Sequence, residues 1–211
     1  MCNIWRKILL FVVAGIFLSC NIAAPRLHST LPLVRHVFNP NMQTYYDELS
    51  IFLMVTDKDG KLDISDIFVI NKDAQLSWHF DKGNWILPEK EYGGDSILLA
   101  RVIMPVDTEI PTGTYQIVVY DKAGKQDKGR FYLFPPEKGY RDLIPSLTQN
   151  VAGKLTVNSK FRLNYLFILE EHIPILQASV TPGQIISKTQ QPLYLGTRYK
   201  NRFYFSGPYY P

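Results

Sequence analysis

From Leu31 onward the apolar residues come in short runs, and Gly, Pro, Asp and Asn separate them. Such runs are too brief for helices and are rich in Ile, Val, Phe and Tyr, which predicts strands. The first seven fall at Leu33–Phe38, Leu49–Thr56, Asp66–Asn71, Gln75–Phe80, Ser96–Met104, Gln116–Tyr120 and Arg130–Phe134. Leu49–Thr56 (LSIFLMVT) is apolar at odd and even positions alike, as expected of a strand inside a sheet. Asp57-Lys58-Asp59-Gly60, Lys82-Gly83-Asn84 and Asp121-Lys122-Ala123-Gly124 punctuate the runs with residues suited to tight turns. Pro135-Pro136 and Gly139 then interrupt any ladder and mark a boundary. Beyond them, Arg141–Asn150 reads as a short helix or turn broken by Pro145. Lys154–Asn158 and Phe161–Leu169 read as strands, the second with Phe161, Leu163, Tyr165, Phe167 and Leu169 on one face. Weaker strands are expected at Gln184–Ser187, Leu193–Leu195 and Arg202–Phe205.

Roughly seven strands in about 100 residues, with regular turn signals, is the pattern of an immunoglobulin-like sandwich. The segment Pro111–Phe134 also resembles the last hairpin of bacterial Ig-like modules. A Pro-x-Gly-x-Tyr entry (Pro111, Gly113, Tyr115) precedes an apolar strand and an Asp-x-Ala-Gly turn. The expected fold class is therefore all-β. An Ig-like sandwich occupies residues 33–135, and a smaller β-rich extension or second domain occupies 136–211. The latter is short for independent stability, so it is expected to pack against the first.

The start of the chain follows a different rule. Arg6 and Lys7 precede the apolar run Ile8–Leu18, and Ser19-Cys20 closes it. A basic stretch, an apolar core and a small residue before the cut make a secretion signal, and the core is too short to span a bilayer. With a cysteine at the cut, Phe17-Leu18-Ser19-Cys20 resembles the lipobox of bacterial lipoproteins, in the looser form seen in spirochaete-type bacteria. That resemblance implies a signal peptide over 1–19 and acyl chains (palmitate-like) on Cys20. It also implies a lipidated tether over 20–32 and a place in the cell envelope, at the outer membrane or the periplasmic face. Two or more acyl chains suffice for stable attachment, whereas one binds marginally. The stretch from Tyr46-Asp47-Glu48-Leu49 through Asp66–Asn71 likewise resembles uncharacterised spirochaete-type lipoproteins, a family that carries no activity to transfer.

Charge and cysteine content narrow the function classes. The chain carries 23 basic and 19 acidic residues, for a net charge of +4, and a cut before Cys20 would remove Arg6 and Lys7. No basic cluster or Arg-rich stripe is present, which argues against nucleic acid as a partner. Of the 2 cysteines, Cys2 would leave with the signal and Cys20 would be acylated, so neither disulfides nor cysteine chemistry are expected.

Few residues suggest a reaction. No Gly-x-Ser-x-Gly elbow, Ser-x-x-Lys pair or Gly-rich phosphate loop occurs, so no catalytic residues and no cofactor are assigned. His28, His36, His79 and His172 lack partners at metal-ligand spacing, and His79 is expected at the surface or an edge. Asp57, Asp59, Asp63 and Asp66 surround Gly60, but an EF-hand register would put Val55 at the first ligand position. An acidic hairpin turn is the preferred reading and no metal site is assigned; a calcium loop of another kind is the alternative. Trp78, Trp85 and Tyr92 could form a sugar-stacking or protein-binding platform, though filling the inter-sheet core suits them better. The aromatic C-terminus, Phe203–Tyr210, is either an exposed interface or a last strand folded back. The expected function is a non-catalytic, membrane-anchored module that binds a protein partner in the envelope. The alternative is a ligand-binding module, for sugar or calcium.

Overall fold

A computed structural model describes residues 23–59, 63–85, 96–150, 153–170, 173–187 and 190–210. Among them the regular elements are strands, apart from a 3₁₀ turn at Tyr140–Leu143 and 3₁₀ geometry at Asp63. The first part holds β1 (Arg26–Asn39), β2 (Thr44–Thr56), β3 (Ile64–Asn71), β4 (Leu76–Asp81), β5 (Ser96–Ile103), β6 (Gly113–Asp121) and β7 (Gln126–Leu133). The second holds β8 (Ser146–Gln149), β9 (Leu155–Asn158), β10 (Asn164–Glu170), β11 (Ile173–Val180), β12 (Ile185–Ile186), β13 (Leu193–Tyr199) and β14 (Arg202–Tyr209). The expected all-β class holds, and the sheets stack as in a β-sandwich.

One seven-stranded sheet, ordered β11-β10-β13-β14-β1-β2-β5, runs through both parts. Two smaller sheets, β4-β3-β6-β7 and β12-β9-β8, complete the structure. Register decides which side chains meet them. Val34 lies opposite Leu49, and Leu49 opposite Val102, so these point to one side of the large sheet. With Ile51, Leu53, Leu98 and Ala100 they pack on Ile67, Val69, Ile117 and Val119 of the four-stranded sheet. Leu195 shares that side, because Ser206 pairs with both Leu195 and Phe38. There Leu166, Ile168, Leu193 and Leu195 meet Leu147, Leu155 and Val157 of the three-stranded sheet in a second core. One sheet therefore backs two cores.

Two boundaries differ from the sequence reading. Residues 20–32 do not form a tether throughout, because β1 begins at Arg26. The prolines there suggested a linker. Yet Pro25 precedes the strand, and Pro32 lies before β14 joins at Val34, an edge stretch where a missing N–H is tolerated. The extension is also more than packed against the first part. β14 lies parallel to β1 from Val34↔Arg202 to Phe38↔Ser206, so it shares the large sheet. The aromatic C-terminus is thus a strand in the middle of that sheet, with Tyr204 and Phe205 buried. Arg141–Asn150 holds the end of the 3₁₀ turn and all of β8. β11 was not anticipated.

Tyr115 begins the buried run of β6, and its hydroxyl donates to the Pro111 carbonyl at 2.6 Å. Its ring stacks 5.0 Å from Phe131, which pins β6 to the adjacent β7.

Candidate functional site

Cys20 and Tyr92 lie outside the described residues. Trp78 and Trp85 are partly buried and pack against the first core, Trp78 nearly parallel to Tyr115 at 6.3 Å. Both sit at the rim of the core, and Trp78 turns inward because it lies opposite Val69, whose side of β3 points inward. His79 falls on the other face, exposed, with its Nε2 2.6 Å from Asp66 Oδ1 and its ring 4.5 Å from Phe68. The hydrogen bond from His79 holds the Asp66 carboxyl below its ordinary pKa.

Among the described residues, the most exposed aromatic side chain lies where the end of β7 meets β1. Phe134 is 70% exposed and touches Tyr132 edge-on at 4.8 Å, while Leu31 is 64% exposed. Together with Leu33, Phe203 and Arg198 they line an apolar groove of about 580 Å³. The groove exists because β14 starts at Arg202, leaving the Leu31–Leu33 stretch of β1 without a paired strand on that side among the described residues. Pro32 stands within that free edge and interrupts its row of N–H donors, which blunts strand-on-strand pairing. Recognition here falls to side chains.

Between the two cores lies a polar seam. His36 is 1% exposed, and its Nδ1 sits 2.6 Å from Asp47 Oδ1. Asp47 Oδ2 accepts the Ile110 N–H at 3.0 Å. Arg202 Nη1 lies 2.8 Å from His36 Nε2. A guanidinium can only donate, so Nε2 accepts and the Nδ1 proton goes to Asp47, which assigns the tautomer from geometry. The rings of Tyr140 and Tyr204 cover the imidazole at 4.3 and 5.3 Å. Tyr140 donates to Glu109 Oε1 at 3.0 Å, and burial pushes its hydroxyl pKa up to about 12. A histidine oriented by a carboxylate looks like two-thirds of a nucleophilic triad. Here, however, Arg202 takes the place a nucleophile's hydroxyl would occupy, and the Nε2 lone pair is already engaged by its guanidinium.

On the opposite face of the same sheet, Glu48 is 2% exposed and pairs with Arg35 and Arg101. Arg101 makes a two-bond fork to it, at 2.6 and 2.8 Å. Burial lowers the pKa of Arg35 to about 10, with the nearby Arg101 charge acting in the same direction. It remains a cation at neutral pH.

The acidic turn is reorganised relative to the sequence reading. Asp57 and Asp63 approach each other, but their third companion is Asp121, with ligand oxygens all within 4.8 Å. Asp59 instead accepts the Ala23 N–H at 2.9 Å. The sequence pattern marks Asp121 only as the first residue of a turn. It reaches the cluster because β6 pairs with β3, setting Asp121 opposite Ile64. His36 was similarly missed, although it falls in register with Val34 on an alternating strand and so had to face inward. Burial raises the Asp57 carboxyl above its ordinary pKa, against the Asp59 N–H bond, and Asp63, Asp59 and Asp121 add to the rise. No family model matches this chain, and neither does any curated protein.

Proposed function

We propose that the chain is a lipid-anchored protein of the bacterial cell envelope, held by acyl chains on Cys20, and that its β-sandwich binds a protein partner without catalysing a reaction. The observation that carries the binding reading is the groove beside β7. Leu31, Tyr132 and Phe134 leave apolar surface in water, and contiguous apolar exposure of this kind marks interaction sites. Arg198 at its border favours an apolar segment that also carries a carboxylate. The anchor reading rests on the Arg6–Cys20 pattern. The immunoglobulin-type reading of residues 33–135 is supported by β1-β2-β5 lying against β4-β3-β6-β7 and by the Tyr115–Pro111 bond near the start of β6.

Two measurements test this. Intact mass and detergent partitioning of native protein beside Cys20→Ala test the anchor: acyl mass and detergent entry should appear only in the native form. A photo-crosslinking residue at position 134, compared with one at exposed position 126, tests the groove in intact cells. A discrete product at 134 that disappears in the Leu31→Asp background supports the reading, and equal products at both positions refute it.

A further inference from the structure

The geometry points to a divalent-cation site, best suited to calcium, formed by Asp57, Asp63 and Asp121. Three separate places in the fold supply it: the residue after β2, the residue before β3 and the last residue of β6. Two oxygens touching one calcium at about 2.4 Å lie at most about 4.8 Å apart, and the ligand oxygens of this trio all lie within 4.8 Å of one another.

Proximity of carboxylates alone would not suffice, since acidic groups often gather at turns. The second observation is what two of them leave undone. Asp121 is 1% exposed, and its Oδ1 accepts the Lys125 N–H at 2.7 Å. Its Oδ2 is buried and has no hydrogen-bond donor among the described residues. Asp57 repeats the arrangement: Oδ1 accepts the Asp59 N–H at 2.9 Å, and Oδ2 is buried without a donor. A bare carboxylate oxygen away from water is costly, and a second on a neighbouring carboxylate of the same cluster adds to the cost. Each carboxylate thus commits one oxygen to holding its turn and leaves the other for a cation.

Among the described residues, no side-chain donor bonds these two oxygens. Lys82 lies close enough to sense Asp63 and is itself crowded by Lys122, yet neither bonds the two bare oxygens. The backbone N–H of Lys122 donates to the Asp63 carbonyl at 2.9 Å, which holds the strands in place without using the carboxylates. Calcium fits better than magnesium because it accepts an irregular oxygen set completed by water, whereas magnesium demands a near-ideal octahedron and dehydrates reluctantly.

The test uses the full-length chain in detergent, stripped with EDTA and titrated with CaCl2 in a calorimeter, with thermal unfolding in parallel. The expected result is one site per chain and a rise in Tm of about 5 °C at 10 mM calcium, if affinity lies in the range of extracellular modules. Magnesium at the same concentration should give less than half that rise. Asp121→Asn and Asp63→Asn should each weaken calcium binding at least tenfold, while Asp59→Asn should keep it. Without calcium, both weakened variants should be at least as stable as the native chain, because like charges have been removed. If Asp121→Asn does not fold, Asp57→Asn, which keeps the turn-holding oxygen, joins Asp63→Asn as the deciding pair. No saturable heat and no Tm shift in the native chain would overturn the site. So would native-like binding by the Asp63 variant, and an equal response to magnesium would overturn the calcium assignment.

Discussion

The hydrogen bonds of the seam have a direction, and Asp47→Asn should break it. Arg202 donates to His36, His36 donates to Asp47, and the Ile110 N–H also donates to Asp47. Both carboxylate oxygens are needed as acceptors. Asparagine offers one oxygen and one NH2 group. With the oxygen toward His36, the NH2 faces the Ile110 N–H. With the oxygen toward Ile110, the NH2 faces the Nδ1 proton. Moving that proton to Nε2 sets it against Arg202, which cannot lose one of its own. Every arrangement therefore leaves two donors opposed around an imidazole that is 1% exposed. An unsatisfied buried donor costs about 1–3 kcal/mol, and the charge-assisted bond to the carboxylate is lost as well. The expected loss is about 3 kcal/mol, or a fall in Tm of about 6–12 °C for a chain of this size. Circular dichroism during urea and thermal unfolding would measure it. Pairing Asp47→Asn with Arg202→Gln should recover at least about 1 kcal/mol relative to additivity, because glutamine can accept from Nε2 and free Nδ1 to accept from asparagine. A strictly additive double variant, or a single variant within 1 °C of native, would refute the reasoning.

Three further expectations follow from other features. Glu48→Gln should leave Arg35 and Arg101 without their shared counter-charge and cost about 3 kcal/mol, the low end for a buried pair because Arg101 is partly exposed. A urea midpoint near native would show that the pairs contribute nothing. The pKa of Tyr140 is raised to about 12, so the folded state keeps a proton that the unfolded chain releases near pH 10. Its contribution is fully present below about pH 10 and is lost as pH rises toward 12. Tyr140→Phe should remove that part of the alkaline loss, and stability–pH curves of identical shape for both proteins would contradict it. Gly196→Ala would set a Cβ 2.5 Å from Phe205 and 3.1 Å from Phe167, so it should cost about 1–3 kcal/mol by thermal unfolding, with an unchanged Tm counting against tight packing there.

How legible each feature was depended on the range of the interaction behind it. Leu49–Thr56 could be read as internal because its own residues are apolar on both faces, and it does lie between β1 and β5. Alternation likewise located β3 and β10, although in β10 the core takes Leu166 and Ile168 while Tyr165 and Phe167 face outward. The parallel joining of β1 to β14 could not be read, since Val34 and Arg202 are brought together only by everything folded between them. The same holds for the acidic cluster. Local spacing proposed Asp59 as the partner of Asp57 and Asp63, but strand pairing across β3 and β6 put Asp121 there. The tryptophans illustrate a third case. Their identity permits either a platform or a core rim, and only the inward register of Val69 decides for Trp78.

The parallel contact between the first strand and the last has a mechanical meaning. Tension on the start of the chain, where an anchor would pull, is directed along β1. Its hydrogen bonds to β14 and β2 lie across that direction and would be loaded together in shear. Rupture then requires many bonds to fail at once, whereas a hairpin pulled from its open end unzips one pair at a time. Because forced unfolding is set by the unfolding barrier more than by equilibrium stability, this arrangement would clamp the domain against a load applied at that end.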